Sequence, residues 1–293
     1  MRLFKLRGLP LAAALFVLFA LTAPVLAASG QDKDTILIVA FGTSVEKARV
    51  SYENVENKVK SAFPGHDVLW AWTAHSLLSS GPDGGRLSPQ EAFAKLGTEG
   101  VKKVAVISLH VIPGQEYSNL VATAKAFEGL PKGIERIRLS RPLLWDTDSM
   151  QAVSKLLLQS LPKKRKAAEG VIFVGHGTHH PSGVYYPALQ HYIGSADPNA
   201  FIGTVEGDLE LDALVVRLKA RSIKKVWLAP LMTVAGDHAM NDLFGDEPDS
   251  WKKKLSAAGF TVETINAGLG ENPAMVSRWV DGLKATLGEA DPE

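Results

Sequence analysis

The chain alternates runs of apolar, β-branched residues with segments of helical periodicity, and this alternation restricts its fold more than any other feature. Residues 35–41 (TILIVAF) and 103–112 (KVAVISLHVI) are predominantly apolar runs, which are typical of strands buried on both faces of a parallel sheet. Helical patterns follow at residues 47–63 and 116–127. The order of these segments predicts an α/β fold with parallel sheets.

The second half of the chain repeats the plan of the first. Residues 36–44 (ILIVAFGTS) align with residues 171–179 (VIFVGHGTH). Likewise, residues 102–116 (KKVAVISLHVIPGQE) align with residues 224–238 (KKVWLAPLMTVAGDH). This long repeat differs from the short period of a solenoid. We therefore predict two α/β lobes that are related by internal duplication and face each other across a cleft.

The first 28 residues have the pattern of an export signal. Three cations precede an apolar run at residues 9–21, and small residues at 25–28 offer a cleavage site. An uncleaved anchor helix is the weaker alternative, because the run is shorter than the roughly 20 residues that span a membrane. We expect a signal peptide at residues 1–28 and a periplasmic mature protein that is not held at the membrane. The mature chain is predicted to have an amino-terminal lobe, residues 29–145, and a carboxyl-terminal lobe, residues 146–293.

The composition excludes several classes of function. The chain has 32 Lys and Arg residues against 31 Asp and Glu residues, with no long block of either sign, so we expect no nucleic-acid partner. It has no cysteine, which excludes disulfides, thiolate nucleophiles, zinc ribbons and iron–sulfur ligation. Any metal must therefore be bound by histidine, carboxylate or carbonyl oxygen.

Three residues at predicted strand ends of the second half form a candidate metal site. His176, Glu206 and His238 follow successive strands, and the carboxyl ends of parallel strands meet at one edge of a sheet. Two imidazoles and a carboxylate suit a borderline divalent cation and leave coordination positions free. The glycines on both sides of His176 predict close approach of a bulky ligand. In the alternative interpretation the histidines are structural hydrogen-bonding residues, and Glu206 favours the start of a helix near Asp208.

Other histidines are weaker candidates. His179 and His180 could be extra ligands or residues of a solvated loop, whereas His110 is predicted to be a hydrogen-bonded core residue. One lobe alone carries the two imidazoles, because the first-half counterparts of the three site residues are Phe41, Ala74 or His75, and Glu116.

Six motifs occupy the chain from Ile36 to about Leu287. They are FGTS (41–44), SLHVIPGQEY (108–117), GHGTHH (175–180), VEGD (205–208), PLMTVAGDHAMND (230–242) and GLGENPA (268–274). With them the chain resembles the anaerobic sirohydrochlorin cobaltochelatases, which belong to the class II chelatases together with protoporphyrin ferrochelatase. The resemblance implies two flavodoxin-like lobes and an enzyme that inserts Co2+, with Fe2+ as a second metal, into sirohydrochlorin. It places the family's metal-binding and catalytic residues on His176, Glu206 and His238.

The chemistry of insertion suits these residue types. The metal must lose water, and the macrocycle must lose two pyrrole N–H protons. We assign His176 and His238 to the metal and Glu206 as a ligand or proton acceptor, and we leave open which of the three is the general base. Sirohydrochlorin has several carboxylates, so we expect cationic side chains to bind the rim of the macrocycle. The candidates for this role are Arg49, Arg86 and Arg141.

Two features depart from the family pattern. An export signal is unexpected in an enzyme of cobalamin synthesis, so the alternative function is a periplasmic carrier of metal or haem that uses the same cleft. His75 follows the second predicted strand, and we hypothesise that it ligates haem, either within one chain or between the subunits of a homo-oligomer; the alternative is an ordinary loop residue. The bare geometry of two histidines and a carboxylate is also that of a metal-assisted hydrolase.

Overall fold

Strands and helices alternate along the chain in the order that the sequence predicts. The computed structural model describes residues 35–78, 86–207 and 209–288. The strands are β1 (Thr35–Ala40), β2 (Val68–Trp72), β3 (Lys103–Ser108), β4 (Arg136–Leu139), β5 (Gly170–Gly177), β6 (Ala200–Glu206), β7 (Lys225–Pro230) and β8 (Thr261–Thr264). The helices are α1 (Val50–Ala62), α2 (His75–Leu78), α3 (Pro89–Thr98), α4 (Gln115–Phe127), α5 (Thr147–Gln159), α6 (Tyr185–Ala196), α7 (Leu211–Ala220), α8 (Trp251–Ala257) and α9 (Pro273–Gly288). Short 3₁₀ turns lie at Glu46–Arg49, Pro181–Val184 and Leu269–Glu271, and a π-helical turn lies at Ala239–Leu243.

The described strands form two parallel sheets of four strands each. The strand order is β2-β1-β3-β4 in the first sheet and β6-β5-β7-β8 in the second. The two orders are equivalent, position by position, as the internal duplication predicts. The α/β fold with two parallel-sheet lobes is therefore confirmed.

Side chains on the two faces of each sheet enter different hydrophobic clusters. In β1, Ile36 and Ile38 enter a central cluster, while Leu37 and Val39 enter an outer one that includes residues of α3 and α4. The alternation follows from the two-residue period of a strand. The central cluster also contains apolar residues of the second sheet, so the two lobes share one core.

The helices that follow the last strand of each sheet pack on the opposite lobe. Helix α5, which comes after β4, packs against α6 of the second lobe. Helix α9, which comes after β8, packs against α1, β3 and β4 of the first lobe. Arg138 of β4 fixes this second contact by donating to the carbonyl of Leu287 at 2.7 Å. The predicted lobe boundary between residues 145 and 146 stays a prediction.

Element boundaries differ from the sequence prediction at several places. The apolar run at residues 103–112 forms a strand only from Lys103 to Ser108. The pattern of residues 136–144 predicts a fourth strand over that whole segment. The observed strand β4 ends at Leu139 because Pro142 has no N–H to continue the ladder. Helix α7, predicted to begin after an N-cap at Asp208, begins at Leu211 with Glu210 as its N-cap; Asp208 lies outside the described residues. The sequence Ser88-Pro89-Gln90-Glu91 predicts a capping box with proline at the first helical position. The start of α3 confirms this prediction.

The predicted signal peptide, residues 1–28, lies outside the described part of the chain. Within the described part, every helix is too short or too polar to cross a membrane.

Candidate active site

The candidate site lies at the carboxyl edge of the second sheet. His176 is the second-last residue of β5, Glu206 is the last residue of β6, and His238 follows β7. Gly177 pairs with Glu206 in the ladder of β5 and β6, so the register of these strands brings His176 and Glu206 side by side. The loop after β7, the other neighbour of β5, brings in His238.

The three predicted site residues lie close together. The imidazole rings of His176 and His238 are 4.4 Å apart between centroids and meet edge to face at 88°. The Nδ1 atom of His176 is 4.0 Å from Oε2 of Glu206. The side chains are 40%, 50% and 49% exposed for His176, Glu206 and His238. The site is therefore open to solvent and accessible to a ligand.

The site is a loose group rather than a closed cage. Within the described ranges, no cluster of three or more His, Asp or Glu side chains has the spacing that would hold a metal ion. A cation that is bound by all three residues therefore requires their side chains to move together.

The glycines beside His176 serve packing and not ligand access, so that prediction is wrong. A Cβ atom at Gly175 would collide with the ring of Tyr186. Gly177 has a positive φ of 87°, and a Cβ atom there would collide with the backbone carbonyl of Glu206. The space that a bulky ligand was expected to use is filled by Tyr186 on one side and by the end of β6 on the other.

Two carboxylates that the sequence motifs did not indicate, Asp237 and Asp242, hold the loop of His238. The Nδ1 atom of His238 is 2.9 Å from Oδ2 of Asp242. Asp237 accepts hydrogen bonds from the hydroxyl of Ser44 in the first lobe at 2.9 and 2.8 Å to its two oxygens. The first pair has a sequence signal, since residues four apart share one face of a helical turn. The second pair joins the two lobes and has no such signal.

The two neighbouring histidines, His179 and His180, differ in their surroundings. Nδ1 of His180 hydrogen-bonds Ser182 and thereby caps the 3₁₀ turn that begins at Pro181. His179 is exposed.

His110 makes the hydrogen bond that the sequence analysis predicted, with 2.8 Å between its Nδ1 atom and the hydroxyl of Ser108. Its Nε2 atom is buried and has no partner among the described residues. Burial lowers the pKa of His110 to about 4.

The first lobe presents different side chains at the equivalent edge. Phe41, the counterpart of His176, is 48% exposed. His75 is exposed at the start of α2, and Glu116 lies in the first turn of α4. No hydrogen bond, ion pair or ring contact between described residues connects His75 or Glu116 with the three site residues.

The three candidate arginines of the rim differ in their surroundings. Arg49 pairs with Glu46 at 3.2 Å. The guanidinium of Arg86 lies 5.9 Å from the centroid of the Trp72 ring, and that of Arg141 lies 5.6 Å from the Trp145 ring. Arg86 and Arg141 follow the carboxyl ends of β2 and β4 and so belong to the edge of the first sheet where a substrate would bind.

Comparison with solved structures relates the fold to chelatases. SirB from Bacillus subtilis with Fe3+ has a TM-score of 0.57 and 14% identity, and the match covers 87% of this chain and 96% of that one. CbiX, titled the terminal enzyme for biosynthesis of sirohaem in denitrifying bacteria, has a TM-score of 0.52 and 17% identity, covering 86% of this chain and 98% of that one. At these identities the likeness concerns the fold alone.

Comparison with sequences identifies the family. A family model described as cobalt chelatase (CbiK) matches residues 34–288. The sirohydrochlorin cobaltochelatase CbiKC of Nitratidesulfovibrio vulgaris is 35% identical over 261 residues, which cover 88% of this chain and 92% of that protein. The sirohydrochlorin cobaltochelatase of Salmonella typhimurium is 34% identical over 265 residues, which cover 89% of this chain and 99% of that protein. The resemblance inferred from the six motifs is thus confirmed, and the chain belongs to the cobalt chelatase (CbiK) family.

Proposed function

We propose that this protein inserts a divalent metal ion into sirohydrochlorin, with Co2+ as the substrate metal and Fe2+ as a second metal. One observation carries the proposal: the rings of His176 and His238 lie 4.4 Å apart at an open edge, with the Glu206 carboxylate 4.0 Å from the first ring. The relatives that are named sirohydrochlorin cobaltochelatases support the choice of macrocycle and of Co2+.

The roles of the three residues follow from their chemistry. A neutral imidazole binds Co2+ through its lone pair, and the nitrogen and oxygen donors here exchange more readily than thiolates. His176 and His238 would hold the ion while it sheds water. Glu206 is half exposed beside His176, where it can accept a pyrrole proton or serve as a third ligand.

An assay of cobalt insertion tests this function. The mature protein is incubated anaerobically with sirohydrochlorin and Co2+ or Fe2+, and the change in absorbance is followed. We expect His176→Ala and His238→Ala to lose on the order of 100-fold or more in rate. His191→Ala, which removes an exposed imidazole from α6, is the matched control and should match the wild type. No acceleration over the spontaneous reaction by the wild type would overturn the proposal.

We propose a periplasmic location, because residues 1–28 combine a cationic start with an apolar run. A periplasmic location favours one alternative function, a carrier of metal or haem. A carrier binds its cargo stoichiometrically without turnover. Fractionation of cells that express the full chain tests the location. The number of cobalt insertions per protein molecule separates the two functions. An enzyme gives multiple turnovers, whereas a carrier gives none.

Haem ligation by His75 stays a separate proposal. The imidazole is exposed at the carboxyl end of β2, where it is accessible to a ligand, and it supplies one axial nitrogen. A Soret band in the purified protein that disappears in His75→Ala would support it, and a band that persists in this variant would overturn it. The association state of the protein with and without haem tests whether the ligand lies between subunits.

A further inference from the structure

His238 opens a short irregular helical turn that is firmly anchored. The turn at Ala239–Leu243 is π-helical, and its first and last residues, Ala239 and Leu243, are completely buried. The amide of Met240 bonds the carbonyl of Gly236 at 2.9 Å. π-Helical turns of this kind are frequent at functional sites. The backbone that carries His238 is thus fixed, which leaves the orientation of the imidazole to its side-chain contacts.

Asp242 supplies such a contact. Its Oδ2 atom is 2.9 Å from Nδ1 of His238. An ionised carboxylate can only accept a hydrogen bond, so in a neutral imidazole that makes this contact Nδ1 carries the proton and Nε2 carries the lone pair. The contact therefore sets both the angle of the ring and the nitrogen that it offers to a cation.

His176 makes no comparable contact with the residues that the structure describes. Its Nδ1 atom reaches only the carbonyl of Gly177 at 3.4 Å, and Glu206 at 4.0 Å is beyond hydrogen-bond distance. Within the described ranges, the ion pairs contain Asp242 once, in its contact with His238. The carboxylate is thus available to the imidazole and is not shared with a lysine or arginine there.

We propose that Asp242 is a positioning residue, which holds His238 in the Nδ1–H tautomer and leaves Nε2 to bind the metal ion. The identity of the metal ion in this inference rests on the proposed function. The tautomer of the His238 ring does not depend on that function. Partners of this kind fix the tautomer and orientation of metal-binding histidines, and their loss commonly lowers metal affinity 10- to 100-fold.

The first test measures the tautomer in the metal-free protein. Nitrogen NMR of the histidine rings, at a pH well above the ordinary pKa of imidazole, should show Nδ1 protonated for His238 in the wild type. Asp242→Ala should shift this ring toward the Nε2–H tautomer. A general structural defect would not produce this change at one ring, and an Nε2–H tautomer in the wild type would overturn the proposal.

The second test measures Co2+ affinity from the visible absorption of the protein-bound ion. Asp242→Ala should bind Co2+ about 10- to 100-fold more weakly, with the KM for sirohydrochlorin unchanged. Asp242→Asn keeps an oxygen acceptor and should recover most of the affinity. Glu247→Gln removes the same charge from an exposed position nearby and should match the wild type.

The outcomes separate the inference from the proposed function. Equal losses in Asp242→Ala and Asp242→Asn, with the Nδ1–H tautomer retained in Asp242→Asn, would assign the effect to charge and overturn the positioning role, as would an unchanged affinity in both. If Asp242→Ala does not fold, Asp242→Asn is compared with Glu247→Gln instead, by the tautomer of His238 and by Co2+ affinity. An Nε2–H ring in Asp242→Asn together with wild-type Co2+ affinity would overturn the positioning role. A wild type without cobalt insertion, together with the predicted tautomer and affinity changes, would refute the function and leave the positioning role intact.

Discussion

The hydroxyl of Ser44 in the first lobe donates to both carboxylate oxygens of Asp237 in the second, at 2.9 and 2.8 Å. Asp237 directly precedes His238, so this contact between the lobes holds the loop that carries a candidate metal ligand. Next to it, the hydroxyl of the buried Thr43 fills the space beside Gly236. The two lobes therefore meet at the backbone that carries the site.

This contact predicts that substitutions of Ser44 and Asp237 have coupled effects on the free energy of unfolding. Ser44→Ala should lower the free energy of unfolding by about 1 kcal/mol, because a hydrogen bond to a charged but solvated partner contributes that much. Asp237→Ala should cost a similar amount. The double variant should cost little more than either single variant, since both remove the same interaction. Urea unfolding of the three variants measures the effect, and strictly additive costs would contradict it.

The conformation and close packing of Gly177 at the end of β5 predict a large effect of one methyl group. Gly177→Ala combines an unfavourable positive φ of 87° with a collision against the carbonyl of Glu206. We expect a loss of about 2 kcal/mol in the free energy of unfolding and weaker binding of Co2+, because the ends of β5 and β6 must separate.

Gly282→Ala is the matched control for that variant. Gly282 lies within α9 with open space around it, so alanine there should raise the free energy of unfolding by about 0.5 to 1 kcal/mol. Unfolding curves of both variants check the prediction, and a Gly177→Ala protein as stable as the wild type would refute it.

The buried imidazole of His110 predicts a pH dependence of stability. Burial lowers the pKa of His110 from 6.5 to about 4 in the folded protein. Between these values the unfolded chain binds a proton that the folded chain does not. The contribution is therefore complete above the unfolded pKa and is lost as the pH falls through the folded pKa, by up to about 3 kcal/mol.

His110→Met tests this dependence, because methionine stands at the equivalent position 232 of the second lobe. The free energy of unfolding is measured at about pH 7.5 and about pH 4.5. The variant should lose less stability between these values than the wild type. An equal loss in both proteins would assign the acid sensitivity to other groups.

Arg141 predicts a specific effect on the macrocycle. Its side chain is 56% exposed just beyond the end of β4, and its Nη1 atom lies 3.8 Å from Oδ2 of Asp146. Arg141→Ala should raise the KM for sirohydrochlorin several-fold and leave Co2+ affinity unchanged, because the rim carboxylates lose a cation. Arg141→Lys should lose less, and added salt should reduce the difference between the variants. A changed Co2+ affinity would contradict the assignment to the rim.

The fold and the meeting of the site residues could be predicted because both depend on periodicity. Apolar runs placed the strands, and the parallel order placed His176, Glu206 and His238 at one edge. The fourth strand was predicted too long because the apolar residues after Pro142 hydrogen-bond the loop that follows β3 instead of continuing the ladder.

The contacts around the site were less predictable. Asp242 lies four residues after His238, a spacing that was available to the sequence analysis and was not used. The contact between Ser44 and Asp237 spans 193 positions and depends on how the lobes pack. The glycines were misinterpreted because a glycine permits close approach without specifying by what, and here Tyr186 and the end of β6 approach it.

The reciprocal placement of α5 and α9 has a consequence for the origin of the chain. Each half gives its final helix to the other, and the central cluster belongs to both. A half-length ancestor with this plan would have been complete only as a dimer whose subunits exchanged their last helices. Fusion of such a pair would free the two copies of the strand-end loops to change independently, as His176 and its counterpart Phe41 show.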